Sequence, residues 1–232
     1  MIRNYAKING FTLVEMAIVL VIVGLLLNTL LTLLTAQREL RAIDATQQSL
    51  KQISESLNGF IILNGRLPCP SSQANPTNAN YGLEDATCSA NYVTEGYLPW
   101  KTLGVPDTDA WGIKRAAAAS AWNGYWRYRV DRNFTNASTF NSNILSIGSP
   151  WGTDLLTVRD GSGNAITSTT ERPIAIVYST GIDLVPNGQN ASFEPTSGVY
   201  ESDSITSNFD DMFIWINRPT VVNRMVSVGK LP

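Results

Sequence analysis

The feature that most constrains this chain is an apolar run of 19 residues, from Met16 to Leu34, that contains no charged side chain. In helical form such a run extends about 28 Å, close to the hydrocarbon thickness of a bilayer. Arg3 and Lys7 precede it, and basic residues on that side predict a cytoplasmic N-terminus. We therefore expect one helix that spans a membrane, with the rest of the chain on the opposite side.

A carboxylate stands at the entrance to this run, because Glu15 directly precedes Met16. A charged group at the centre of a bilayer costs about 2.5–3.5 kcal/mol on insertion scales, and less near the interface. A charged residue with this insertion cost usually pairs with another group or serves a function. The residues around Glu15 are therefore the first place to look for function.

Residues Gly10 to Glu15, with the sequence Gly-Phe-Thr-Leu-Val-Glu, resemble the processing site of type IV pilins and of type II secretion pseudopilins. The resemblance implies that prepilin peptidase cleaves after Gly10 and that the new amine on Phe11 is methylated. It assigns Thr12 and Glu15 to assembly, with Glu15 facing the N-terminal amine of a neighbouring subunit. After cleavage Glu15 would lie in the first turn of a helix, where the positive end of the dipole favours an anion.

Three other interpretations of the N-terminal segment remain open. A secretory signal has an apolar core of only about 7–15 residues and a small-x-small cleavage site, which Leu34-Thr35-Ala36 fits poorly. A plain signal anchor explains the basic leader and the apolar run, but neither Glu15 nor Gly10-Phe11-Thr12-Leu13. A buried core helix would not need so long an uncharged run.

Helical periodicity continues past the apolar run. No proline occurs from Arg38 to Leu63, and apolar residues recur at spacings of three, four and seven, at Leu40, Ile43, Leu50, Ile53, Leu57, Phe60 and Ile61. Asn64-Gly65 predicts the end of the helix, and Pro68 follows it. We therefore predict a leader at 1–10, a transmembrane or filament-core helix at 11–35 and an amphipathic extension at 36–64.

The remaining residues, 65–232, are predicted to form one globular domain. Apolar and aromatic bursts favour strands at 125–130, 144–147, 155–159, 174–179 and 212–216, and a short helix at 219–231. The predicted fold class is α+β and pilin-like, with an antiparallel sheet packed on the second half of the long helix.

The two cysteines, Cys69 and Cys88, both lie beyond the apolar run. Because the bacterial periplasm is oxidising, we expect a disulfide between them, worth about 3 kcal/mol for a loop of about 20 residues. Two free thiols are the alternative.

Composition excludes several kinds of chemistry. The chain has no histidine, so neither a Ser-His-Asp triad nor a Cys-His pair can form, and we expect no enzyme. With 17 basic and 19 acidic residues the net charge is −2, which implies no general affinity for nucleic acid.

A finer resemblance concerns the acidic residues near the C-terminus. Asp109-Ala110-Trp111-Gly112, Ser179 to Asp183 and Asp210-Asp211 look like the major pseudopilin of type II secretion, whose acidic loop binds calcium. The resemblance offers four oxygen ligands, and calcium takes six to eight oxygens. They are Asp183, Asn187, Asp210 and Asp211. Asp183 would equally serve to cap backbone amides in a turn.

The resemblance also implies partners and a location. The partners are other pilin or pseudopilin subunits, the peptidase, an inner-membrane assembly platform and membrane lipid. The location is the bacterial inner membrane, with the C-terminal domain in the periplasm, and then a periplasmic or surface fibre. Thr32 stands where many filament-forming pilins carry a proline, which favours a minor or accessory subunit. The alternative function is a membrane-anchored ligand-binding or adhesin module that does not polymerise.

Overall fold

The computed structural model describes residues 12–73, 75–85, 95–111, 124–145, 154–192 and 198–231, and leaves out the side chains of 28–35, 139 and 141–143. The chain divides into two compact units, Met1–Ile43 and Asp44–Pro232. The predicted boundary between the two helical segments, at residues 35 and 36, remains a prediction.

One long helix, α1, runs from Leu13 to Asn64, a length of 52 residues. Gly65 ends it in a left-handed conformation, with φ of 64°, and its amide donates to the carbonyl of Ile61 at 2.8 Å. The sequence prediction of an uninterrupted helix that stops at Asn64-Gly65 is confirmed.

Within the second unit, α1 buries one apolar stripe. Leu50, Ile53, Leu57 and Ile61 are all buried there. The predicted stripe is wrong at its first member, because Leu40 is 63 % exposed. Helical spacing indicates which residues share a face, but the position at which a domain begins to cover that face is a tertiary property.

Six further elements, five strands and one helix, were expected after α1, and nine strands and α-helices are described. They are β1 (Gly96–Tyr97), α2 (Trp100–Leu103), β2 (Arg127–Val130), α3 (Ala137–Leu145), β3 (Thr157–Arg159), β4 (Pro173–Ser179), β5 (Val199–Glu201), β6 (Met212–Asn217) and α4 (Arg218–Ser227). Short 3₁₀ turns cover Arg132–Phe134 and Gly188–Ser192.

The main sheet has the strand order β1-β2-β4-β6, and every pairing in it is antiparallel. Its central strand β4 is buried along its whole length, as its near-continuous apolar sequence predicts. The prediction of an α+β fold with an antiparallel sheet is confirmed for this sheet. A second, two-stranded sheet pairs β3 with β5 in parallel, which the sequence did not predict.

The predicted strand at 144–147 is wrong in its first two residues, since Ile144 and Leu145 end α3; residues 146–147 lie outside the described ranges. Asn136 starts that helix by accepting the amide and the hydroxyl of Ser138, at 2.9 and 2.8 Å. A short apolar pair fits a strand and a buried helix end equally well. The cap at Asn136 therefore favours the helix.

The interior beside the main sheet holds a buried charged cluster. The carboxylate of Glu95 forms an ion pair with Arg127 and accepts hydrogen bonds from Tyr178 Oη at 3.1 Å and Tyr200 Oη at 2.6 Å. The guanidinium of Arg129 lies 5.9 Å from the ring centroid of Tyr200. Burial, followed by the charge of Glu95, raises the pKa of both tyrosines well above the usual value. This cluster ties the residue before β1 to three strands.

Candidate functional site

The predicted processing and assembly site lies at the start of α1. Gly10 and Phe11 are outside the described residues, and the described chain begins at Thr12. The cleavage and methylation assigned to Gly10 and Phe11 stay predictions. Thr12 and Glu15 are both described, and the structure places them in direct contact.

Thr12 and Glu15 form a capping box at the start of α1. One carboxylate oxygen of Glu15 accepts the backbone N–H of Thr12 at 2.8 Å and its hydroxyl at 2.9 Å. In return the amide of Glu15 donates to the Thr12 hydroxyl at 3.2 Å. Thr-x-x-Glu before an apolar run is the sequence signature of this motif. The resemblance assigns both residues to assembly and does not include their mutual cap, although the Thr-x-x-Glu signature is present in the sequence.

Beyond Glu15 the helix presents apolar side chains outward. The large apolar side chains described between Leu13 and Leu27 are all exposed, with Leu13 at 87 %. An apolar surface of this extent on an isolated chain indicates an interaction with lipid or with other protein. Within the described part of the chain, no helix offers an apolar stretch long enough to cross a bilayer.

The four residues predicted as calcium ligands come together, although 26 residues separate Asp183 from Asp210 in sequence. Asn187 joins the other three. Its backbone N–H donates to Asp211 Oδ2 at 2.9 Å and its Nδ2 donates to Asp183 Oδ2 at 3.0 Å, while its Oδ1 accepts the amide of Asp210 at 2.8 Å. Hydrogen bonds through Asn187 therefore connect all four residues.

The carboxylates in this group accept hydrogen bonds from the chain itself. Asp210 Oδ2 accepts the amides of Ile182 and Asp183 at 2.6 and 3.1 Å, and Asp183 Oδ1 accepts the amide of Val185 at 2.8 Å. The last contact is the turn-capping role considered for Asp183. Across the described ranges, no group of three or more acidic, cysteine or histidine side chains is arranged to hold a metal ion. Calcium binding stays a prediction.

The two adjacent aspartates experience different degrees of burial. Desolvation raises the pKa of Asp211 to about 7, against the opposing effect of its hydrogen bonds from Asn187 and Asn190. Desolvation also raises the pKa of Asp210, and the nearby charge of Asp183 adds to that increase. Keeping these carboxyl groups ionised near neutral pH therefore costs free energy.

Cys69 is buried, and its amide donates to Glu84 Oε2 at 3.1 Å. Glu84 also forms a bidentate ion pair with Arg66, at 2.7 and 2.8 Å. Cys88 lies outside the described residues, so the predicted Cys69–Cys88 disulfide stays a prediction.

Residues 5–27 match the model of the prokaryotic N-terminal methylation motif. The chain is therefore a prepilin-type protein, one whose N-terminal segment has the form that prepilin peptidase processes. The motif supports a type IV pilin-like protein of this prepilin type. No curated protein and no solved structure matches the chain, so the assignment rests on this segment.

Proposed function

We propose that this protein is a structural subunit of a fibre, a minor pilin or pseudopilin of a type IV pilus or a type II secretion system. The observation that carries the proposal is the methylation motif at residues 5–27, which contains Glu15 and opens a helix with an outward apolar surface. In this role α1 anchors the chain in the inner membrane after synthesis and then packs among other subunits in the fibre core.

The capping box supports this role for Glu15. Before assembly the carboxylate is held by Thr12, so the charged group enters the apolar layer with hydrogen bonds already made. During assembly the amine of a neighbouring Phe11 supplies a cation for the same carboxylate. A desolvated, hydrogen-bonded ion pair of this kind fixes the register between two helices more than it adds stability.

The globular unit has a structural or binding role in this proposal, and no catalytic one. A chain without histidine lacks the usual general base and metal ligand, and its buried charged cluster at Glu95 is enclosed by its own side chains. The domain lies in the periplasm or on the cell surface, where an oxidising environment permits the Cys69–Cys88 disulfide.

The second candidate function is a tethered binding module. The observation that favours it is the exposed apolar and acidic loop at residues 182–185, which offers a contact surface independent of the helix. In that case α1 serves only to hold the domain at the membrane. Processing separates the two candidates, because an anchor that does not polymerise has no need of cleavage and methylation.

Intact mass measurement of the purified full-length protein tests the proposal. We expect the loss of Met1–Gly10 and the gain of one methyl group. Gly10→Val should retain the leader and stay out of fibres. Gly24→Val is the matched control: an added Cβ there meets nothing within 4 Å, and this variant should still be cleaved after Gly10. A wild-type protein that keeps its leader would refute the proposal.

A further inference from the structure

The first charged residue of α1 after Glu15 is Arg38, which follows it by 23 positions. Both residues lie in the helix and in the first compact unit. At about 1.5 Å per residue they are about 35 Å apart along the helix axis. The hydrocarbon core of a bilayer is about 30 Å thick, and its headgroup layers extend the total to about 40–45 Å. A helix that holds Glu15 in one headgroup layer therefore places Arg38 in the other.

Arg38 and Arg41 share one face of α1. They are three positions apart, which separates them by about 60° around the helix, whereas Glu39 and Leu40 each lie about 130° from the middle of that face. Both arginines are exposed. Across the described part of the chain, the ion pairs involve neither of them. Their guanidinium groups are therefore accessible to an anion outside the chain.

The part of α1 that precedes these arginines suits an apolar surrounding. The large apolar side chains described between Leu13 and Leu27 are 43–87 % exposed, and they occupy every side of the helix. A helix that is apolar all round fits a hydrocarbon environment. An apolar surface with two guanidinium groups beyond its end is complementary to acyl chains with phosphates above them.

The position and chemistry of the arginines favour a lipid over an acidic protein. The planar guanidinium group presents its donors in a fork that matches the oxygens of a phosphate. Its aliphatic stem can lie along an apolar surface while the charged group reaches the headgroups. In the headgroup layer lipid phosphates surround the helix, so an acidic protein would have to displace them.

We propose that Arg38 and Arg41 bind the phosphate of an anionic lipid headgroup in the leaflet opposite Glu15, and that this contact fixes the depth of α1 in the bilayer. The inference rests on the proposed function, in which α1 lies in a membrane before the subunit enters a fibre. It goes beyond general contact with lipid, because it assigns a headgroup class and two residues that recognise it. Entry into a fibre then requires this contact to break.

Native mass spectrometry of the full-length protein in mild detergent tests the preference for a headgroup. We expect phosphatidylglycerol to stay bound at about a tenth of the concentration that phosphatidylcholine needs, since each basic residue adds attraction to an anionic lipid. Arg38→Gln with Arg41→Gln should abolish this difference, and Arg38→Lys with Arg41→Lys should preserve most of it. Lys51→Gln with Lys230→Gln is the matched control: it removes two exposed cations from the globular unit and should preserve the preference.

Photo-cross-linking in vesicles tests the position of the contact. The probe is a phosphatidylglycerol that carries a diazirine in its headgroup, and mass spectrometry of peptides locates its adducts on the full-length protein. We expect adducts of the far leaflet at residues 36–43. In the double glutamine variant their yield should fall about tenfold and they should spread along the helix, because its depth is no longer fixed. High salt should lower the yield in the wild-type protein.

Four outcomes would overturn the inference. They are equal binding of the two lipids by the wild-type protein, an unchanged preference in the double glutamine variant, an equal loss in the lysine control, and adducts centred outside residues 36–43. Intact mass reports separately on the proposed function. A chain that is processed after Gly10 but shows no lipid preference leaves that function standing, and a lipid preference in a chain that keeps its leader leaves this inference standing.

Discussion

Tyr200 Oη donates a hydrogen bond of 2.6 Å to Glu95 Oε2 across 105 residues of sequence. The same carboxylate pairs with Arg127, so a single buried side chain connects the start of β1 with β2 and with β5. Polar contacts at this point therefore join parts of the globular unit that are far apart in sequence. No spacing rule in the sequence indicates which of the 19 acidic residues occupies it.

Replacing Glu95 therefore gives the first prediction. Glu95→Ala leaves the buried guanidinium of Arg127 without its carboxylate, and we expect it to lower the free energy of unfolding by about 3–5 kcal/mol. Glu55→Ala is the matched control, since it removes the exposed pair with Arg224 and should cost less than about 1 kcal/mol. Denaturant unfolding of the full-length protein in detergent measures both. Equal losses of unfolding free energy in the two variants would show that the buried cluster stabilises the fold no more than an exposed ion pair does.

Thr12 gives the second prediction. Thr12→Ala removes the hydroxyl that caps α1 and should weaken the first turn by about 0.5–2 kcal/mol, whereas Thr12→Ser keeps the cap. Hydrogen exchange of the amides of residues 13–16 should quicken in the alanine variant alone. If Thr12→Ser exchanges as fast as Thr12→Ala, the methyl group of threonine matters and the hydroxyl does not.

Glu15 gives the third prediction. Glu15→Val should be cleaved after Gly10 and remain in the membrane, because an apolar residue inserts more easily than a carboxylate. It should fail to enter fibres or to cross-link with other pilin-like subunits, because the amine of a neighbouring Phe11 then has no counter-charge.

Glu15→Gln separates the two roles of that carboxylate. An amide oxygen can still accept the bonds from Thr12, so the helix cap should survive while assembly is lost. Normal assembly of Glu15→Gln would mean that capping alone is required, and normal assembly of Glu15→Val would remove the main physical support for the fibre.

Asp211 gives the fourth prediction, on pH. Burial raises the pKa of Asp211 to about 7 in the folded protein, above its ordinary value of 3.8. The unfolded chain therefore releases this proton at lower pH, and the free energy of unfolding should fall as pH rises from about 4 to about 7. Asp211→Asn should flatten that dependence, whereas Asp203→Asn, at an exposed carboxylate, should preserve it. An unchanged slope in Asp211→Asn would contradict the assignment.

The parts of the fold that could be predicted are those set by local pattern. The apolar run, the helical spacing through Ile61 and the Asn64-Gly65 stop determine α1, and the apolar sequence of β4 marks a central strand. Local pattern did not predict the structure where a short segment fits both a strand and a helix, as at Ile144. It also did not predict strands of only three residues, such as β5. Pairing in parallel between β3 and β5 depends on the path of the chain, which no local pattern records.

The candidate site shows the same difference between features that local pattern predicts and features that depend on tertiary contacts. Glu15 was identified because a charge before an apolar run is costly, and its bond to Thr12 was readable from the Thr-x-x-Glu spacing. Asp183 and Asp210 were named together only through the family resemblance, because their separation in sequence exceeds any local motif; their predicted role as calcium ligands stays a prediction. The bridging by Asn187 could not have been foreseen, because it depends on the orientation of one amide side chain.

The continuity of α1 has a mechanical consequence. Its sequence from Leu13 to Asn64 contains no proline, so no residue in it lacks the backbone N–H that the helical hydrogen bonds need. In the proposed fibre, neighbouring subunits would slip past one another before the hydrogen bonds within any one helix broke. The elastic limit of the fibre would then be set by the lateral bonds at the helix ends, with Glu15 foremost among them.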